Sequence, residues 1–245
     1  MRRRERTIRR EVEAAGLESL AATTESGGIR VVLGAAGETW VELSVKSRAA
    51  SAERAEALVE GFAPRIERRG NELQVAAAGR AGKGEKLEVD LTVALPAGCA
   101  LDLESGAGDL VVEVDAAEVR ARSGAGNVRI GRARGPVRVR TGAGGVRVDS
   151  LFGTPDLRTG SGDVFLRLDE TPGGAGRIET QAGSVRVEVG AEVGLTLSAS
   201  TGAGEIECDF PLAGSATRRR GAIHDGGPKV SVSSGAGDVV VTGAR

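Results

Sequence analysis

Ser105-Gly-Ala-Gly-Asp-Leu-Val-Val112 returns as Ser123-Gly-Ala-Gly-Asn-Val-Arg-Ile130 and again as Thr141-Gly-Ala-Gly-Gly-Val-Arg-Val148. Further copies read TGSGDVFL at 159–166, TQAGSVRV at 180–187, TGAGEIEC at 201–208 and SGAGDVVV at 234–241. The second glycines fall at 108, 126, 144, 162, 183, 204 and 237, so the spacings are 18, 18, 18, 21, 21 and 33. A recurring unit of this length is one supersecondary element stacked on copies of itself.

Each copy can be written relative to its second glycine. Leu101 and Leu103, Val119 and Ala121, and Val137 and Val139 precede it by seven and five residues. Leu110 and Val112, Val128 and Ile130, and Val146 and Val148 follow it by two and four. Period-two alternation puts such residues on one face of a strand. The expected fold is therefore all-β: a parallel β-solenoid (β-helix) of about seven 18–21-residue coils, each made of two strands joined at a glycine corner. Glycine suits a corner that needs positive φ or close approach of the next coil. The Ser or Thr ahead of it (105, 123, 141, 159, 180, 201 and 234) is expected to form a hydroxyl ladder between coils. Pro155 and Gly176 fall in inward slots of the frame, and the longer spacings are expected to absorb surface loops, chiefly 171–176 and 211–228.

Residues 1–96 repeat poorly and read as an N-terminal cap of strands plus one helix, ahead of the repeats at 97–245. Ser26-Gly27-Gly28-Ile29 looks like a degenerate first copy. Strands are expected over Trp40–Val45, Glu72–Val75 and Leu87–Leu95. Ala55, Leu58, Val59 and Phe62 have helical spacing behind a Ser51 cap, and Pro64 stops the helix. The stretch 79–86 reads as a basic turn. The short arginine runs Arg2–Arg4 and Arg218–Arg220 read as solvated or disordered.

Of the 245 residues, 40% are hydrophobic but only 2% aromatic, so the core must be aliphatic. The net charge of −1 offers no global field for nucleic acid, and none is expected as a partner. Cys99 and Cys208 read as small buried hydrophobes in a reducing compartment. With no long apolar run and no apolar stretch behind the basic start, a transmembrane segment or secretory signal is not expected, and a cytoplasmic location is.

Catalytic motifs are weak. No G-x-G-x-x-G occurs, and Gly82-Lys83 lacks the rest of a phosphate loop. The residue after each second glycine (Asp109, Asn127, Gly145, Asp163, Ser184, Glu205, Asp238) is too inconsistent for a calcium roll. The sole histidine, His224, has no nucleophile beside it. Neither catalytic residues nor a cofactor or metal are expected. The frame does align arginines on outward positions of successive coils: Arg120 with Arg138, Arg122 with Arg140 and Arg158, and Arg129 with Arg147. These are the candidate anion-binding face, for an acidic polymer or lipid head group. No capping helix follows the last copy, so either the loop over 211–228 folds over this end, or Val239, Val240 and Val241 are the candidate end for self-association with another copy, as in a filament-like subunit, or for a protein partner.

The chain resembles the bacterial putative adhesin family of β-strand-repeat proteins over about residues 20–245. The resemblance rests on Gly-Gly-Ile-Arg-Val at 27–31, the helix after the first hairpin, Leu-Pro-Ala-Gly at 95–98, and the serial Ser/Thr-Gly-x-Gly-Asp-Val. It rests also on Gly226-Gly227-Pro228-Lys229-Val230 leading into the last repeat. It implies a non-catalytic scaffold or interaction protein with no assigned catalytic residues, and an association with the cell envelope as the alternative to a cytoplasmic location.

Overall fold

Alternating aliphatic and polar residues form strands, and the repeats form them in pairs. In the computed structural model, which describes residues 1–35, 38–79 and 81–244, Ala100–Ala107 and Leu110–Ala116 flank Gly108. Glu118–Ala125 and Val128–Ala133 flank Gly126, and Val137–Ala143 and Val146–Leu151 flank Gly144. First strands pair in parallel with first strands, and second with second. The outcome is two parallel-rich sheets, of 11 and 12 strands among the described residues, with one core between them. The first sheet is about 48 Å across its strands, at about 4.8 Å per spacing. The inward residues of the frame, such as Leu103, Val119, Ile130 and Val139, are fully buried.

The corners explain the motif. Gly126 has φ +157° and Gly144 φ +143°. A Cβ on Gly144 would overlap the Gly126 carbonyl, because adjacent coils meet there backbone to backbone. The hydroxyl ladder forms with consistent polarity. Ser105, Ser123, Thr141, Thr159, Thr180, Ser234 and Thr201 donate to the carbonyl oxygens of Gly27, Gly108, Gly126, Gly144, Gly162, Gly183 and Gly237, at 2.8–3.1 Å. A second ladder was not foreseen. The side-chain oxygen after the second glycine accepts the N–H of the equivalent residue one coil on: Asp109 from Asn127, Asn127 from Gly145, Asp163 from Ser184, and Asp238 from Glu205.

Ser19–Thr24 and Ile29–Leu33 form a strand pair whose corner is Ser26-Gly27-Gly28, in parallel register with Ala100–Ala107 and Leu110–Ala116. The excursion that follows returns Glu72–Ala77 and Lys86–Leu95 to the outer side of that pair, so parallel pairing runs on without a break at Pro96. Thr39–Ala49 and then Arg2–Val12 extend the first sheet antiparallel, and Arg65–Arg69 ends the second. The helix spans Ala52–Glu60, and Ser51 caps it by accepting the Arg54 N–H at 3.1 Å. Its buried Ala55 and Leu58 pack on Ala49. The arginine-rich start is strand, and Arg2–Arg4 are exposed on it, in keeping with the solvated reading. It pairs along its whole length with Thr39–Ala49 and turns Ile8 and Val12 onto the core. Arg80, within the turn expected over 79–86, lies outside the described residues.

The stacking order departs from chain order once. Lys229–Ala236 lies between Gly176–Ala182 and Leu195–Ala203 in the second sheet. Val239–Gly243 lies between Val185–Val189 and Ile206–Cys208 in the first. The last repeat is therefore interior. Val239, Val240 and Val241 have paired strands on both sides and cannot be the open end proposed from the sequence. The outer position belongs to Leu195–Cys208, and the segment read as a loop, 211–228, closes it. Arg218–Ile223 pairs antiparallel with Leu195–Ala203, Ala213–Ser215 pairs with Arg218–Ile223, and the Ile206 N–H donates to Ala216 O at 2.8 Å. Arg218–Arg220 is thus strand as well.

Gly144→Val, which sets a side chain against backbone at positive φ, is expected to destabilise by about 2–3 kcal/mol. Gly173→Ala, with nothing within 4 Å of the new methyl, should cost less than about 0.5 kcal/mol. Chemical denaturation of both variants checks the difference. Thr141→Val, which removes one rung of the ladder, should fall between them at about 1 kcal/mol.

Candidate functional site

Every strand of the stack turns alternate side chains to solvent, so the repeat-borne arginines are set by register. In the second sheet Arg120 pairs with Arg138, and Arg122 with Arg140 and then Arg158. In the first sheet Arg129 pairs with Arg147, followed by Phe165 and Arg186. The expected alignments are all present. They lie on two opposite faces, because the two strands of each coil belong to different sheets. The seven arginines therefore make two surfaces rather than one.

Neither surface is a bare cation ladder. Arg138 reaches Glu118 at 2.9 Å, and Arg120 approaches Glu118 and Asp102 at 4.0 and 3.8 Å. Arg122 approaches Asp102 at 3.9 Å. Arg140 and Arg158 share Asp156 at 3.4 and 2.9 Å. On the other face Arg129 and Arg147 share Asp149 at 3.2 and 2.5 Å, and Arg147 also stacks over Phe165 at 4.1 Å. The carboxylates Asp102, Glu118, Asp149 and Asp156 each face two guanidiniums. Like charges opposed across strands repel, and a shared acid between them offsets that repulsion. A shallow groove of 930 Å³ runs along the Arg129–Arg147–Phe165–Arg186 row.

The remaining candidates are structural. His224, at φ 50°, has Nδ1 2.9 Å from Val193 O and meets the Phe210 ring edge-on at 5.5 Å. Cys99 is buried and free, and burial pushes its thiol above the usual range. Cys208 is free and half-buried, and desolvation raises it likewise. Among the described residues no group of three or more His, Cys, Asp or Glu is placed to hold a metal ion. The residues following the second glycines serve the corners. The signal for that was present in the sequence as a side-chain acceptor recurring directly after a glycine, Asp109, Asn127, Asp163 and Asp238.

The Toastrack DUF4097 family model matches residues 84–242. No curated protein matches the chain. Among solved structures the chain is similar to one named as a putative cell adhesion protein from Clostridium sporogenes, at 10% identity and a TM-score of 0.46, covering 98% of this chain and 100% of that one. It is similar also to a putative adhesin from Parabacteroides merdae, at 10% identity and 0.44, covering 99% and 97%. A third, named as a putative lipid binding protein from Parabacteroides distasonis, shares 9% identity at 0.39, covering 98% and 97%. Likenesses this distant leave the role of the chain to its own surfaces.

One carboxylate gives a pH test. Asp115 Oδ2 accepts Arg134 Nε and Nη2 at 3.0 and 2.7 Å, with Arg132 close by. The Arg134 hydrogen bonds hold its carboxyl below the usual range. A depressed carboxylate stabilises fully above its unfolded value of about 3.9, and that contribution is lost as pH falls through the lower folded value. Melting temperature should therefore drop below about pH 4. Asp115→Asn should melt lower than the parent at neutral pH and lose less on acidification, as thermal scans between pH 6 and pH 2.5 would show.

Proposed function

The chain belongs to the Toastrack DUF4097 family, and we propose that it is a non-catalytic scaffold whose two outward faces bind a protein partner. One observation carries this reading. The polar side chains that recur with the repeat are committed to holding coil on coil: hydroxyls to glycine carbonyls, Asx oxygens to N–H groups, arginines to shared carboxylates. What the repeats then offer is a stiff slab of fixed spacing, bearing charge in a regular pattern.

Among the described residues no helix is long and apolar enough to cross a membrane. An envelope-associated placement and a cytoplasmic one are both compatible with a scaffold of this kind.

A second reading, an anion-binding surface for acidic polysaccharide or lipid head groups, is favoured by the sharing of acids. On the second sheet Arg120, Arg122, Arg138, Arg140 and Arg158 share Asp102, Glu118 and Asp156 as ion-pair partners, with Glu104 opposite Arg122 and Glu179 opposite Arg158 in register.

Both ends of the second sheet carry an arginine surplus: Arg65, Arg68 and Arg69 on the outermost strand at one end, where Glu67 pairs with Arg65 and Arg69, and Arg218, Arg219 and Arg220 one strand in from the other, behind Ala213–Ser215. Head-to-tail stacking would oppose them, so the scaffold is expected to stay monomeric. Light-scattering mass over a wide concentration range, at low and high salt, checks this. Growth of mass with concentration at low salt would instead revive assembly through the ends. For the anion reading, the protein should be retained on immobilised dextran sulfate and released by salt. The triple variant R122Q/R140Q/R158Q should elute at clearly lower salt, and unchanged elution would end that reading.

A further inference from the structure

The outward face of the first sheet near its Arg2–Val12 edge carries a row of charge unlike any in the repeats. Arg3 stands opposite Arg48, and Arg48 opposite Lys86, on three adjacent strands. All three residues are exposed, and none has an ion pair among the described residues. The next row in the same register is Glu5, Lys46, Glu88, alternating in sign, with Lys46 bound to Asp90 at 2.6 Å. One register step thus separates a balanced row from a row of three cations.

Directly opposed cations cost stability, and paired Cβ atoms lie only about 5 Å apart, so the three Cβ atoms span about 10 Å. Charged side chains on an exposed edge strand are a known guard against pairing with another chain. That accounts for Arg3. It does not account for Arg48, which is paired on both sides with Arg3 and Lys86, while Lys86 lies beyond the reach of Ile29–Leu33. A groove of 680 Å³ opens over this row and the next, lined by Arg3, Arg4, Lys46, Arg48 and Lys86 and also by Glu5 and Glu88, so cations outnumber acids around it. Two guanidiniums and an ammonium converging on one concavity suit a compact multivalent anion, with the planar forks matching phosphoryl oxygens.

We infer that Arg3, Arg48 and Lys86 form a binding site for a phosphoryl group, supplied by a soluble phosphate or by a phospholipid head group. The site is separate from the arginines of the two repeat faces and does not depend on either function proposed for them.

The test uses the full chain at low ionic strength, with two probes. Calorimetry follows inorganic pyrophosphate, and sedimentation follows phosphatidylcholine vesicles with and without phosphatidic acid. The wild type should bind pyrophosphate, or the phosphatidic acid vesicles, or both. Binding only the vesicles assigns the phosphoryl group to lipid, and binding pyrophosphate alone assigns it to a soluble ligand. R48Q should weaken binding about tenfold, and R3Q/R48Q/K86Q should abolish it. Neither should lower the melting temperature, since each removes repulsion. Should the triple variant unfold, R48K preserves the charge without the fork and should weaken binding by a smaller factor than R48Q. R122Q/R140Q/R158Q should bind as the wild type does. The inference fails if the wild type binds neither probe or if the row variants bind unchanged. It fails too if the repeat-face variant loses as much affinity as the row variant, which would make the attraction a general property of the surface.

Discussion

Close approach of successive coils at the glycine corner is the constraint on which this structure depends. Two backbones meet at Gly126 and Gly144 with no room for a Cβ. That contact sets the hydroxyl one strand back within reach of the neighbouring carbonyl, and the side chain just after it within reach of the neighbouring N–H. Parallel sheets normally need long crossovers to bring strands side by side. Here a tight corner does so because the chain changes sheet at each turn, and the next strand of the same sheet arrives one coil later. Buried polar groups at the corners would be costly without partners. The serial ladder supplies those partners, so an aliphatic core with almost no aromatic side chains suffices.

Charge follows from the same regularity. A repeat that places an arginine outward places its copies directly opposite one another, and sequence copying alone would build a repulsive stripe. Asp102, Glu118, Asp149 and Asp156 interrupt the two stripes, each serving two guanidiniums. At the Arg3–Arg48–Lys86 row the three cations stand in register with no acid among them.

Much of this was legible in the sequence because the repeat period is itself a structural unit. The inward positions, the hydroxyl ladder, the arginine registers and the helix behind Ser51 follow from period and alternation alone. The interior location of the last repeat does not. Each copy presents the same hydroxyl, the same glycine carbonyl and the same aliphatic pairs, so Ser234 suits the edge at Gly183 as well as Thr201 would. Nothing local distinguishes the order 183, 204, 237 from the order 183, 237, 204. The spacing of 33 looked like a loop because it contained one, and that loop proved to be the strands that close the outer coil. The Arg2–Val12 strand was missed for a different reason. Its inward positions include Arg4, Arg6 and Arg10, lying over the helix or beyond the core, so the apolar alternation that marks a half-buried strand is absent. The Arg3–Arg48–Lys86 row was invisible for want of any period linking residues from three separate segments.

The interior position of residues 229–243 bears on how synthesis and folding are timed. Domains often begin to fold as the chain emerges from the ribosome. For most of this stack each new coil can settle on the one made just before it. Leu195–Cys208 cannot, since its native neighbour is translated later. It must wait, held off the growing end or misplaced against it, until residues 229–243 arrive and slide between. Those residues act as a keystone: the nascent chain carries an unfinished arch until they are in place, and their absence would open two seams at once.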